Sequence, residues 1–147
     1  MKKGFTLIEI MVVVSILAVL ASIAMLNFIR IRMNAHEGAI KKELRTFSAA
    51  NESFRATQDP PAYTSAIAIL TGASPPYLDP TWNTNPRHGY NLTYAGGGPG
   101  PTATTYSLFA TAIPTEATTD YCVDQTGVIV SGGSGNATGC SGGTPIP

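Results

Sequence analysis

The sequence predicts an α+β protein in which a long N-terminal helix packs on a small antiparallel β-sheet head. Three observations support this fold class. An apolar run covers residues 5–29, a helical pattern with one apolar face follows over residues 30–57, and alternating strand patterns occupy residues 87–130. We therefore expect one half of the helix to span a membrane and the other half to cover the sheet.

The apolar run from Phe5 to Ile29 is long enough to cross a bilayer. A helix of that length reaches roughly 38 Å, against roughly 30 Å for the hydrocarbon core. The run is apolar on all sides, so it needs lipid or identical helices around it. Its few polar residues are Thr6, Glu9, Ser15, Ser22 and Asn27.

Glu9 is the charged residue within this run. A carboxylate costs about 2.5–3.5 kcal/mol at the centre of a bilayer and less near the interface, so an acidic residue here indicates a function. Lys2 and Lys3 are the nearest cations in the sequence. If the chain were cut between Gly4 and Phe5, the new α-amino group would be a further cation at the same depth, and a neighbouring copy could bring it to Glu9.

The stretch at residues 2–9 reads Lys-Lys-Gly-Phe-Thr-Leu-Ile-Glu, and the apolar run follows directly. This arrangement resembles the prepilin signal of type IV pilins and of the related pseudopilins of type II secretion. In that family a membrane aspartic peptidase cuts after the glycine and methylates the new N-terminal residue. The resemblance implies a leader peptide at residues 1–4, cleavage between Gly4 and Phe5, N-methylation of Phe5, and neutralisation of a neighbour's N-terminal amine by Glu9 during assembly.

The chain departs from the family pattern at two positions in the helix. Leu26 follows Met25 where the family often has a helix-bending proline, and Ala18 stands where it often has a glycine. Because both helix breakers are missing, we expect a straighter helix that melts less easily than in many pilins.

Residues 30–57 are expected to continue the helix as its amphipathic half. A shared face carries four apolar residues at helical spacing, whereas charged residues cover the other faces. The proline pair after Asp59 ends the helix, which would then be roughly 80 Å long in total. His36 is expected at the surface. The apolar residues of the shared face are Ile40, Leu44, Phe47 and Phe54.

Residues 58–147 are expected to form a globular head. In the proline-rich connector, residues 58–86, we expect Tyr77, Leu78 and Trp82 to pack the loop onto the head. Three or four strands are expected within residues 87–130, with a flexible hairpin tip at residues 96–101 and a four-residue turn at residues 124–127. The apolar helix face would cover this sheet.

The two cysteines, Cys122 and Cys140, are expected to pair. The short basic N terminus should stay in the cytoplasm, which would place the residues after the membrane run in an oxidising compartment. A disulfide there closes a loop at residues 122–140 and stabilises the head by roughly 3 kcal/mol. The Gly-, Ser- and Thr-rich tail, residues 131–147, would be disordered without it.

The residue pattern argues against catalysis and against tight metal or nucleic-acid binding. His36 and His88 are the only histidines, no residue cluster has metal-ligand spacing, and no cofactor is expected. Asp120 and Asp124 could offer oxygen ligands to calcium, which major pseudopilins often bind near the C terminus, but carboxylates in turns more often bond the backbone. With 9 basic and 9 acidic residues, the chain has no basic surface for nucleic acid.

The expected function is that of a structural subunit in a type IV pilus-like extracellular filament. Before assembly, we expect a single-pass inner-membrane protein surrounded by lipid, with its N terminus in the cytoplasm. Prepilin peptidase would then cut it, and the pilus or secretion machinery of the inner membrane would assemble it into a helical homo-oligomer. This filament would lie at the cell surface or, as a pseudopilus, in the periplasm. The alternatives are a minor pilin or type II secretion pseudopilin, and a monomeric membrane-anchored binding module. A secretory signal peptide is a further alternative for the run, since residues 18–24 offer small residues for its cleavage site.

Overall fold

The computed structural model describes residues 4–96 and 104–146. Residues 1–3 of the expected leader, and residues 97–101 of the expected hairpin tip, lie outside the described residues.

A single unbroken helix, α1, covers Leu7–Ala56 and contains 50 residues. It is about 75 Å long and confirms the expected long helix. Thr6 caps its N terminus: the Thr6 hydroxyl accepts a hydrogen bond from the Glu9 amide at 3.4 Å, and the Glu9 carboxylate accepts one from the Thr6 amide at 3.5 Å. This reciprocal pair is a capping box, which satisfies backbone donors at the helix start.

The two halves of α1 differ in burial. The large apolar side chains described between Phe5 and Ile31 are 46–81% exposed. From Ile40 onwards, one face is buried against the head: Ile40, Leu44 and Phe47 are fully inaccessible, and Phe54 packs against the same core. The amphipathic half was therefore predicted correctly.

The connector contains two short helical segments, α2 at Ile67–Gly72 and a 3₁₀ helix at Pro80–Asn83. Leu78 and Trp82 are buried, and Tyr77 packs on the core from its edge. These three residues hold the connector on the head as predicted, because each inserts an apolar side chain that water would otherwise surround.

The head is an antiparallel sheet of five strands in the order β1-β2-β3-β4-β7, with a second sheet formed by β5 and β6. The sequence predicted three or four strands within residues 87–130; four strands begin there, and the tail adds three more. Seven strands run in chain order: β1 Tyr90–Gly96, β2 Tyr106–Ala112, β3 Tyr121–Asp124, β4 Ile129–Ser131, β5 Ser134–Asn136, β6 Gly139–Ser141 and β7 Thr144–Ile146.

The last three strands come from the Gly- and Ser-rich tail. β7 pairs with β4, Ile146 standing opposite Ile129, and the β5–β6 hairpin lies over β2 and β3. Gly135 makes this packing possible, because a Cβ there would come within 2.9 Å of the Ser107 hydroxyl oxygen and 3.1 Å of the Cys122 sulfur. A larger residue would push the hairpin off the sheet.

Phe47 occupies the centre of the core between α1 and the sheet. Its ring centroid lies 5.4 Å from that of Tyr94, 5.6 Å from that of Trp82 and 6.0 Å from that of Tyr106. The core thus joins α1, the connector and the first two strands into one body.

Candidate assembly helix and the head that carries it

The residues predicted for processing and assembly lie at the exposed start of α1. Phe5 is 81% exposed, and nothing lies within 4 Å of a Cβ built on Gly4. The bond between them is therefore sterically open.

Among the described residues, the Glu9 carboxylate contacts Thr6. Its carboxylate lies 3.5 Å from the Thr6 amide nitrogen and 3.4 Å from the Thr6 hydroxyl oxygen. Contacts of this length are at the weak end for hydrogen bonds.

Two serines of the apolar half donate hydrogen bonds to the backbone of their own helix. The Ser15 hydroxyl donates to the carbonyl oxygens of Met11 and Val12, each at 2.9 Å, and the Ser22 hydroxyl donates to that of Val19 at 2.7 Å. Such bonds satisfy a hydroxyl without water. By length and composition, α1 is the one helix among the described residues that could cross a membrane.

The head fixes the rotation of α1 through polar contacts as well as apolar ones. The Tyr106 hydroxyl donates to Ser48 Oγ at 3.0 Å, and the Tyr63 hydroxyl donates to the Glu52 carboxylate. Burial, followed by the bond to Glu52, raises the pKa of Tyr63 to about 12. Each of these hydrogen bonds requires a particular rotation of α1 about its axis, whereas apolar contacts tolerate small rotations.

An ion pair that the sequence analysis did not anticipate joins α1 to Arg87, the residue directly after the connector. Arg87 grips Glu43 with two hydrogen bonds, Nη2 to Oε1 at 2.6 Å and Nε to Oε2 at 2.9 Å, and its guanidinium lies 4.8 Å from the Trp82 ring centroid. His88 Nε2 lies 3.1 Å from Glu43 Oε1. Burial alone would raise the pKa of Glu43, but the bonds and charge of Arg87, with those of His88, outweigh it and lower that pKa below 4.5.

The predicted disulfide between Cys122 and Cys140 is present and is confirmed, with a Cα–Cα distance of 5.9 Å. Asp124 supports it from the turn before β4. One of its oxygens accepts from the Thr126 amide at 2.9 Å and the other from the Cys140 amide at 2.9 Å. Burial raises the pKa of Asp124, but the hydrogen bonds from Thr126 and Cys140 prevail and lower it overall.

Asp120 and Asp124, the two calcium candidates, are both engaged by the backbone. Asp120 accepts a hydrogen bond from the Ala112 amide at 2.7 Å, as Asp124 does from Cys140. Within residues 4–96 and 104–146, no group of three or more His, Cys, Asp or Glu side chains is placed to hold a metal ion.

Comparisons with known proteins agree with this arrangement. The family model described as "Prokaryotic N-terminal methylation motif" matches residues 1–25. The chain is 35% identical over 95 residues to the type IV major pilin protein PilA of Myxococcus xanthus (strain DK1622), a match that covers 65% of this chain and 39% of that protein. The match thus spans about two fifths of the length of that relative. No solved structure matches the chain.

A methylation motif, a long exposed apolar helix and a small disulfide-bonded α+β head define a pilin-like protein. By this motif at its N terminus and by its 35% identity to a major pilin, the chain is similar to type IV pilins.

Proposed function

We propose that this protein is a structural subunit of a type IV pilus-like filament. The observation that carries the proposal is the apolar half of α1, whose large side chains are 46–81% exposed. The head, by contrast, buries its large apolar side chains in a core. Such a surface must be covered by lipid or by other apolar helices. Lipid covers it in the inner membrane, and identical helices cover it in the filament.

Processing prepares the helix for this exchange. Prepilin peptidase cuts the open bond between Gly4 and Phe5 and methylates the new amine, which stands one helical turn before Glu9. In the filament, the Glu9 carboxylate leaves Thr6 and pairs with the Phe5 amine of a neighbour. A buried ion pair of this kind selects one axial register more than it adds stability.

A minor pilin or a secretion pseudopilin would use the same motif and helix. The inner-membrane machinery would then add few copies of the chain to a filament made mostly of another subunit. Abundance at the cell surface separates this role from that of a major subunit.

The test is the intact mass of the protein recovered from sheared surface material. We expect an abundant chain that starts at Phe5 and carries one added methyl group. A processed chain confined to the inner membrane would instead indicate a minor pilin or pseudopilin, and an uncleaved chain would contradict the proposal in favour of an anchored module.

A matched pair of glycine variants sharpens this test. Gly4→Ala should keep the leader attached and remove the protein from the surface fraction. Gly72→Ala, at a glycine that also has open space around it, should leave the mass and the amount unchanged.

A further inference from the structure

Gly38 is the glycine of α1, and it lies where the helix passes from its exposed half to its buried half. The last large exposed apolar residue is Ile31 and the first fully buried one is Ile40. Nothing lies within 4 Å of a Cβ built on Gly38, so the glycine is not needed for close packing. Relative to alanine, a glycine lowers the equilibrium constant for forming the helix at its position about fivefold.

The loop between β2 and β3 contacts α1 just before this glycine. Glu116 Oε1 lies 3.7 Å from Arg32 Nη2, and Glu116 Oε2 lies 3.7 Å from His36 Nδ1. His36, expected at the surface, is instead half-buried with a side chain 20% exposed. An alanine at Gly89 would place a Cβ 2.7 Å from both His36 Nδ1 and Glu116 Cβ, so this glycine permits the approach.

The same segment, extended to the first residue of β3, also contacts α1 directly before the glycine and after it. Glu37 accepts a hydrogen bond from the Thr118 hydroxyl at 3.2 Å and another from the Tyr121 hydroxyl at 3.1 Å. On the far side of Gly38, Lys41 Nζ lies 4.9 Å from the Tyr121 ring centroid. Contacts from residues 116–121 therefore bridge the weak point of the helix.

We propose that residues 116–121 are a splint that keeps α1 continuous across Gly38. When the splint is released, Gly38 becomes a hinge between the apolar half of the helix and the head. The ion pair between Arg32 and Glu116 is the contact best suited to release, because these side chains are 59% and 36% exposed and exposed ion pairs are individually weak. The splint thus sets the direction of the head relative to the membrane half, whether or not a filament forms.

The test is amide hydrogen exchange on the full-length protein in detergent micelles. The splint variant carries Glu116→Ala, Thr118→Ala and Tyr121→Leu, which remove the ion pairs, the hydroxyl bonds to Glu37 and the ring under Lys41 without changing α1. We expect exchange at residues 36–42 to rise about fivefold or more, whereas residues 44–55 keep their protection. Thr115→Ala, at an exposed neighbour in the same loop, should change neither segment.

A second substitution tests the hinge itself. Gly38→Ala added to the splint variant should slow exchange at residues 36–42 by about fivefold. Unchanged exchange there in the splint variant would overturn the splint, and so would an equal rise at residues 44–55, which reports loss of the whole head. If the triple variant does not fold, Gly38→Ala in the native sequence should still slow exchange at residues 36–42, and no slowing would overturn the hinge.

Discussion

The two halves of α1 share one secondary structure but differ in whether their apolar side chains are exposed or buried. In the first half, apolar side chains are exposed and the hydroxyls of Ser15 and Ser22 bond only their own helix. In the second half, Phe47 is fully buried, and Ser48 and Glu52 bond tyrosines of the head. The difference teaches that the second half builds the fold, while the first half is a surface left for other molecules.

Paired phenylalanine substitutions are expected to show this difference most strongly. Phe47→Ala removes a buried ring at the centre of the core and should lower the free energy of unfolding of the head by about 3–5 kcal/mol. Phe28→Ala removes a ring that is 66% exposed and should leave that free energy unchanged. Denaturant unfolding of both full-length variants in detergent measures the effect, and equal losses would break the comparison.

The disulfide should give the next largest effect. Cys122→Ser should lower the free energy of unfolding by about 3 kcal/mol, because the open chain gains loop entropy when it unfolds. Unfolding midpoints with and without reductant measure this, and the double variant with Cys140→Ser serves as control because it should match the single one. An unchanged midpoint under reducing conditions would argue against a stabilising role for the bond.

Two buried tyrosines allow the effect of removing a hydrogen-bonded hydroxyl to be compared with that of removing one without a bond. Tyr106→Phe removes the bond to Ser48 and should cost about 1–2 kcal/mol. Tyr90→Phe should cost less than about 0.5 kcal/mol or even stabilise, because the Tyr90 hydroxyl is buried and has no hydrogen-bond partner among the described residues. If the two variants unfold at the same midpoint, polar contacts do not help to hold the second half of α1.

Acid should loosen the second half of α1 through Glu43. Its folded-state pKa is lowered from 4.5, so the stabilisation is fully present above that value and is lost as the pH falls through the lower folded-state pKa. Unfolding midpoints below pH 5 should therefore decrease less steeply in Glu43→Gln than in the native chain. Parallel curves would show that the ion pair with Arg87 does not couple stability to pH in this range.

Short-range sequence patterns predicted where α1 is apolar and which of its faces is buried, because these patterns repeat every few residues. The apolar run, the face of Ile40, Leu44 and Phe47, and the strand alternation of β1 and β2 are all readable at short range. The pair of Glu43 and Arg87 spans 44 residues, and the bond from Thr118 to Glu37 spans 81. Such contacts leave no periodic signal, so the splint and the half-buried His36 were missed.

The three strands of the tail were missed for a related reason, as β7 shows. β7 is three residues long, contains a proline, and pairs with β4 only after the tail has turned back through the β5–β6 hairpin. Short glycine-rich strands lack the alternation that identifies longer ones. The pairing of Cys122 with Cys140 was predictable because cysteine count and compartment do not depend on strand length.

The claim that the apolar half of α1 serves assembly is tested most directly by the distribution of the Glu9→Gln variant between the membrane and the sheared surface fraction. Ser22→Ala, in the same apolar half, is the control. Glu9→Gln should be processed and should retain the head's unfolding midpoint, yet it should stay in the membrane, while Ser22→Ala should reach the surface normally. Normal surface amounts of Glu9→Gln would contradict the claim that this half of the helix, through its one carboxylate, serves assembly.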